Sequence, residues 1–195
     1  MLKYILLTLA AIGLLGSLGG LAGVALFTDQ ATIGANAFDT GSLAISTTPT
    51  TALVTLTGMV PGDAIQPSAG VVVSNDGDME LRYSITSVAD NGDGLLLNAA
   101  LDLTIREIDV TVPATPCDDF DGAILYAPAD LGSVGGIDVI GDPAPGVQGG
   151  ERVLAASTTE TLCFRVELPG AATGPSGAAT TAVLTFDAEQ TVNNP

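Results

Sequence analysis

Histidine and tryptophan are both absent from this 195-residue sequence, and lysine occurs once, as Lys3. Without histidine no Ser-His-Asp or Cys-His arrangement can be built, and zinc would have to rely on cysteine or carboxylate ligands. The common hydrolase machinery is therefore missing. Paired carboxylates remain as an acid/base device, but the 22 acidic residues are scattered through turns without a distinctive spacing. No catalytic residue and no cofactor are expected. Positive charge is just as scarce: 5 Lys and Arg stand against 22 Asp and Glu, a formal charge of -17. Such a chain has no basic patch for nucleic-acid backbone or anionic lipid. Beyond Lys3 the cations are Arg82, Arg106, Arg152 and Arg165. An acidic, lysine-poor surface suits high salt, where screening removes self-repulsion.

Sustained helical periodicity is also missing after Phe38, and aromatic residues make up only 4% of the chain. What remains is rich in turn residues, with 24 Gly and 11 Pro, and in Ala, Val, Leu, Ile and Thr with period-two alternation. Strands are expected at Ser42 to Ser46, Ala52 to Thr57, Gly70 to Ser74, Glu80 to Val88, Ala99 to Val112, Ala123 to Tyr126, Gly136 to Ile140, Thr161 to Leu168 and Ala182 to Thr191. Turn chemistry separates them at Val60-Pro-Gly-Asp63, Asn75-Asp-Gly-Asp78, Asp90-Asn-Gly-Asp-Gly94, Gly141-Asp-Pro143 and Pro169-Gly170. Ser46 to Thr51 reads as a polar loop, and Pro128 to Leu131 as a short helical turn. Apolar residues change parity at Arg106-Glu107, which predicts a β-bulge there. In the last strand Ala182, Leu184, Phe186 and Ala188 share one face and Asp187 and Glu189 the other, the pattern of a sheet with one wet side. Short strands without intervening helices imply an all-β, two-sheet antiparallel sandwich of jelly-roll type.

The N-terminus differs in kind. Tyr4 to Phe27 carries no charge, so its length alone would allow it to span a bilayer. Yet Lys3 precedes a compact apolar block, Ile5 to Leu15, and a Gly-rich zone ends in Gly23-Val24-Ala25, the small-x-small form of a signal-peptidase site. The preferred reading is an apolar signal helix over residues 1–25, cut by signal peptidase between Ala25 and Leu26. A retained anchor is the alternative, and the chain would touch a membrane only through this segment if it stayed uncut. Residues 26–41 would then form a freed strand segment, and 42–195 the sandwich domain.

Cys117 and Cys163 are the only cysteines, and both lie in the exported part, where oxidation favours a disulfide between them. The parity of Cys163 sets it opposite Leu162, Phe164, Val166 and Leu168, on an outer sheet face. The turns containing Asp90 and Asp93, and Asp118 and Asp121, resemble calcium loops in composition. Neither has the EF-hand pattern, so solvated turns are preferred to metal sites.

The ordered motifs Leu26-Phe-Thr-Asp29, Asn36-Ala-Phe-Asp-Thr-Gly41, Met59-Val-Pro-Gly-Asp63, Ser74-Asn-Asp-Gly77 leading to Tyr83, and Phe186-Asp-Ala-Glu-Gln-Thr-Val-Asn193 are together similar to the TasA/camelysin family of secreted proteins with SipW-type signal peptides. The resemblance covers the chain from about residue 20 onward. It implies a jelly-roll fold and a secreted homopolymer, extracellular fibres of a biofilm matrix built by donor-strand complementation. The residues support that expectation in their own way. Segment 26–38 is strand-compatible, is joined through Gly34 and Gly41, and presents Leu26, Phe27, Ile33 and Phe38 as apolar plugs. Each large plug buried contributes roughly 1.5–3 kcal/mol. Two other readings compete: a secreted or membrane-anchored monomeric binding module, in which this segment folds back into its own sheet, and a camelysin-type metalloprotease. The second is disfavoured because the chain lacks histidine.

Overall fold

The computed structural model describes residues 41–50, 59–108, 115–172 and 177–192. The predicted signal helix, cleavage site and donor segment, and the strand expected at 52–57, lie outside these residues. Ten strands follow in order: β1 (Ile45–Thr48), β2 (Ala64–Ile65), β3 (Val71–Asn75), β4 (Leu81–Ala89), β5 (Asp102–Glu107), β6 (Ile124–Asp130), β7 (Ile137–Ile140), β8 (Arg152–Leu154), β9 (Thr159–Glu167) and β10 (Ala182–Gln190). A single 3-10 turn, Leu97–Ala99, precedes β5. The described residues are thus all-β, in two antiparallel sheets.

The first sheet has the order β1-β3-β9-β5-β6, with β2 beside the far end of β9; the second has the order β10-β4-β7, with β8 also against β4. Successive strands repeatedly change sheet, from β3 to β4, β4 to β5, β6 to β7, β8 to β9 and β9 to β10. The first of these, from Asn75 to Leu81, is a short polar connection. There the fully buried Asn75 gives its side-chain amide to the carbonyls of Met79, Leu154 and Ala155 at 2.8, 3.1 and 3.1 Å and accepts from the Gly77 amide at 3.0 Å. One side chain thereby satisfies backbone groups of the 77–79 turn and of the end of β8.

The core lies where the sheets face each other. Val71 and Val73, Leu103 and Ile105, and Leu162, Phe164 and Val166 come from the first sheet; Leu81, Tyr83, Ile85, Val139 and Leu154 come from the second. Their period-two placement is the one the sequence predicts, and it puts these residues on the inward face of each strand. The Tyr83 and Phe186 rings meet at 6.1 Å between centroids. The Tyr83 hydroxyl crosses to the opposite sheet and donates to Glu160 Oε1 at 2.7 Å. Glu160 in turn receives Arg152, which also holds Glu107, so β4, β9, β8 and β5 are tied by one polar chain.

Several expectations need correction. Ser46 to Thr48 is strand rather than loop, because β1 pairs with β3 from Ile45↔Asn75 to Thr48↔Val72. Pro128 lies within β6, not in a helical turn. The predicted bulge at Arg106-Glu107 is not where the irregularity falls: β5 stays in register with β9 through Glu107↔Leu162, where the strand ends. The shifts occur in the β5–β6 pairing, between Leu103 and Ile105 and again between Ile105 and Arg106, where β6 carries the extra residues. Pro128 offers no N–H to that ladder, which places the irregularity on its strand. Finally, the wet side read from the last strand does not extend over the first half of β4, although Val88 further along is exposed. Arg82 and Ser84 are buried there, Arg82 pairs with Glu189 at 2.5 Å and Glu151 at 3.5 Å, and the Gly146 amide donates to Glu189.

Candidate functional site

A sandwich of this kind can work through its strand edges, where backbone groups are free to pair. The described residues present four edges, and they differ sharply. The β6 edge contains Pro128 and two breaks in register. The edge opposite β10 is divided between two short strands, the four residues of β7 and the three of β8. The β1 edge has four residues and runs into Pro49. These are devices that blunt an edge.

The β10 edge lacks them. Its nine residues pair with β4 without interruption, from Ala182↔Ala89 to Gln190↔Leu81, and among the described residues no strand lies on its other side. In an antiparallel edge strand every second residue points both its N–H and its C=O outward. Leu184, Phe186 and Ala188 pack against the core but remain only partly buried, so the apolar layer is open along this margin. Val183, on the other face, is 57% exposed.

The predicted disulfide is present: Cys117 and Cys163 are bonded, with Cα atoms 5.4 Å apart. Cys163 pairs with Arg106 across β9 and β5, on the face opposite the core residues Leu162 and Phe164. The bond therefore clamps the 115–122 loop over the outer face of the first sheet. Gly70 makes the approach possible. It adopts φ +67°, and a Cβ there would lie 2.6 Å from the Leu162 carbonyl and 2.7 Å from Cys117 Sγ. The Cys117 amide donates to Ser68 at 3.0 Å, and Gln66 gives its side-chain amide to the Cys117 and Asp118 carbonyls.

The acidic turns have structural partners. Asp93 accepts the Ala179 amide at 2.6 Å and the Leu95 amide at 2.9 Å, and these bonds, the Ala179 bond foremost, hold its carboxyl below the usual carboxylate range. Asp90 accepts the Thr181 amide at 2.9 Å. The two carboxylates pin the approach to β10 onto the end of β4. Asp118 contributes its backbone carbonyl to Gln66, and Asp121 lies in the same disulfide-tied loop. Among the described residues no group of three or more metal-ligating side chains converges.

A second acidic feature was not expected from the sequence. Asp102 stands in register with Asp130 on β6 and Glu167 on β9. Burial first, and then these two like charges, raise its carboxyl above the usual range. Only strand pairing reveals the row, because its members are far apart in the chain.

The sequence-predicted residues Ala25, Leu26, Phe27, Ile33 and Phe38 lie outside the described residues. No protein-family model matches the chain, and no curated protein matches it significantly.

Proposed function

We propose that this chain is a secreted, non-enzymatic structural subunit of jelly-roll type that polymerises into extracellular fibres by strand addition. The donor is segment 26–38 of one copy, released by cleavage after Ala25, and the acceptor is the free side of β10 in the next. The observation that carries this reading is the uninterrupted nine-residue β10, which among the described residues is paired on one side only and borders a half-covered apolar margin. An added strand would satisfy the outward backbone groups of β10 and would cover Leu184 and Phe186 with its own alternate apolar residues. Backbone bonds alone do not offset the entropy of ordering the donor, so the plugs Leu26, Phe27, Ile33 and Phe38 decide the outcome.

The test is electron microscopy of the protein exported through its own signal peptide. Filaments are expected from the native chain, and only folded monomers from the double variant Phe27→Asp/Phe38→Asp. Filaments that persist in the variant would place the donor elsewhere. A native chain that stays monomeric, or one whose exported N-terminus is Met1, would favour the binding-module reading instead.

A further inference from the structure

Positive charge is so scarce in this chain that its placement carries information. Two of the four arginines lie side by side on the outer face of the first sheet. On this face Thr104 pairs with Arg165 and Arg106 with Cys163, which makes Arg106 and Arg165 diagonal neighbours across β5 and β9. Together with Thr104, Gln66 and Phe120 they line a shallow pocket of about 180 Å³.

Neither guanidinium is used up by the protein. Arg106 donates Nη1 to the Gly122 carbonyl at 2.8 Å, and Arg165 donates Nη2 to Glu167 at 3.1 Å. The Nε atoms of both are buried and have no hydrogen-bond partner. A buried donor without an acceptor is costly and uncommon, and here two of them belong to residues that line the same pocket. The wall of the pocket is also built at a cost. Phe120 is held at φ +49°, a left-handed conformation that a bulky side chain rarely adopts. The disulfide-tied loop keeps its ring 5.3 Å from the Arg106 guanidinium carbon.

The chemistry of the lining selects the ligand. Paired guanidinium forks match a planar carboxylate. Asp119 and Glu167, which also line the pocket, the latter paired with Arg165, and the net charge of -17 work against more highly charged anions such as sulfate or phosphate dianions. Thr104, together with the side-chain carbonyl of Gln66, offers partners for hydroxyl groups, while Phe120 and Pro128 offer apolar surface to the C–H face of a ring. We propose that this pocket binds a sugar carboxylate, one hexuronate unit of an acidic polysaccharide, with Arg106 and Arg165 holding the carboxylate and Phe120 flanking the ring. The inference stands on this geometry and does not depend on fibre formation.

Calorimetric titration of the exported protein with a galacturonate trimer tests it, in about 1 M NaCl, where a Debye length of ~3 Å removes general repulsion. Saturable binding is expected from the native chain. Arg106→Gln and Arg165→Gln should each weaken it by about tenfold or more, and Arg165→Lys should restore it only in part. The fully methyl-esterified trimer should not bind. The Arg165 side chain is 41% exposed, and in about 1 M NaCl, where its surface ion pair with Glu167 is screened, Arg165→Gln should shift the melting temperature little, so a loss of binding in that variant is not a loss of fold. The proposal is overturned by absence of saturation, by equal binding of the ester, by unchanged affinity in Arg165→Gln, or by acetate or sulfate displacing the trimer at matched concentration. Repeating the titration on the Phe27→Asp/Phe38→Asp monomer separates this result from that of the fibre proposal.

Discussion

Tyr83 shows what a single polar atom in an apolar core does. Its ring is fully buried, and its hydroxyl is the one point at which β4 reaches across to Glu160 and, through it, to Arg152. Burial, and then the bond to Glu160, raise the hydroxyl well above its ordinary value of 10.0. The unfolded chain ionises this group near the ordinary value, whereas the folded chain keeps it neutral. Its contribution to stability is therefore complete below about pH 10 and is lost as the pH rises further. Tyr83→Phe should cost about 1–1.5 kcal/mol at neutral pH through the lost hydrogen bond. It should also flatten the decline on the alkaline side. Urea unfolding of both proteins at neutral pH and at about pH 11 checks both statements. Asn75 is a comparable case, since the sequence marks it only as the start of a turn. Its role as a hub for Met79, Leu154 and Ala155 depends on a segment some eighty positions away.

At the scale of elements, the disulfide and its loop behave as one unit. Cys117 and Cys163 are separated by 46 positions, and closing that loop restricts the unfolded chain by about 4 kcal/mol on the chain-entropy argument. The Cys117→Ala/Cys163→Ala variant should lose stability by about that amount, read as a lower urea midpoint with a somewhat steeper slope, because the unfolded chain is less compact without the bond. A loss below about 1 kcal/mol would show that the loop is already held by Gln66 and the Cys117 amide. The edges illustrate the same scale. A proline and two shifts of register blunt β6, a division into two short strands blunts the edge opposite β10, and among the described residues nothing comparable acts on β10. Asymmetry among edges, rather than their mere presence, is what supports the proposal of one acceptor.

For the whole molecule the governing quantity is charge. A net -17 spread over a small sandwich opposes compaction at low ionic strength, and the row Asp130–Asp102–Glu167 concentrates that repulsion across three adjacent strands. Melting temperature should therefore rise steeply between dilute buffer and about 1 M NaCl, where the Debye length contracts to ~3 Å. Asp102→Asn should reduce that salt dependence. Equal melting temperatures across the salt series would show that the acidic surface is not a determinant of stability. Because the Asp102 carboxyl is raised in the folded state, the stabilisation of its protonated form is complete at acid pH and is lost as pH rises through the folded value.

Local pattern determined much of this protein. Alternation of apolar residues located β3, β4, β7, β9 and β10 to within two residues, the turn motifs separated them, and cysteine count with parity located the disulfide on an outer face. Those signals are carried by neighbours in the chain, so they survive without knowledge of the fold. Other features were invisible for the complementary reason. β2 and β8 are too short to show a period, and β6 reads as broken because Pro128 interrupts it. The side of β10 left unpaired among the described residues, the burial of Arg82, the carboxylate row and the pocket of Arg106, Arg165 and Phe120 all depend on which strands lie side by side. Pairing between strands is chosen by the closing of the whole core, and residues far apart in sequence become neighbours only then.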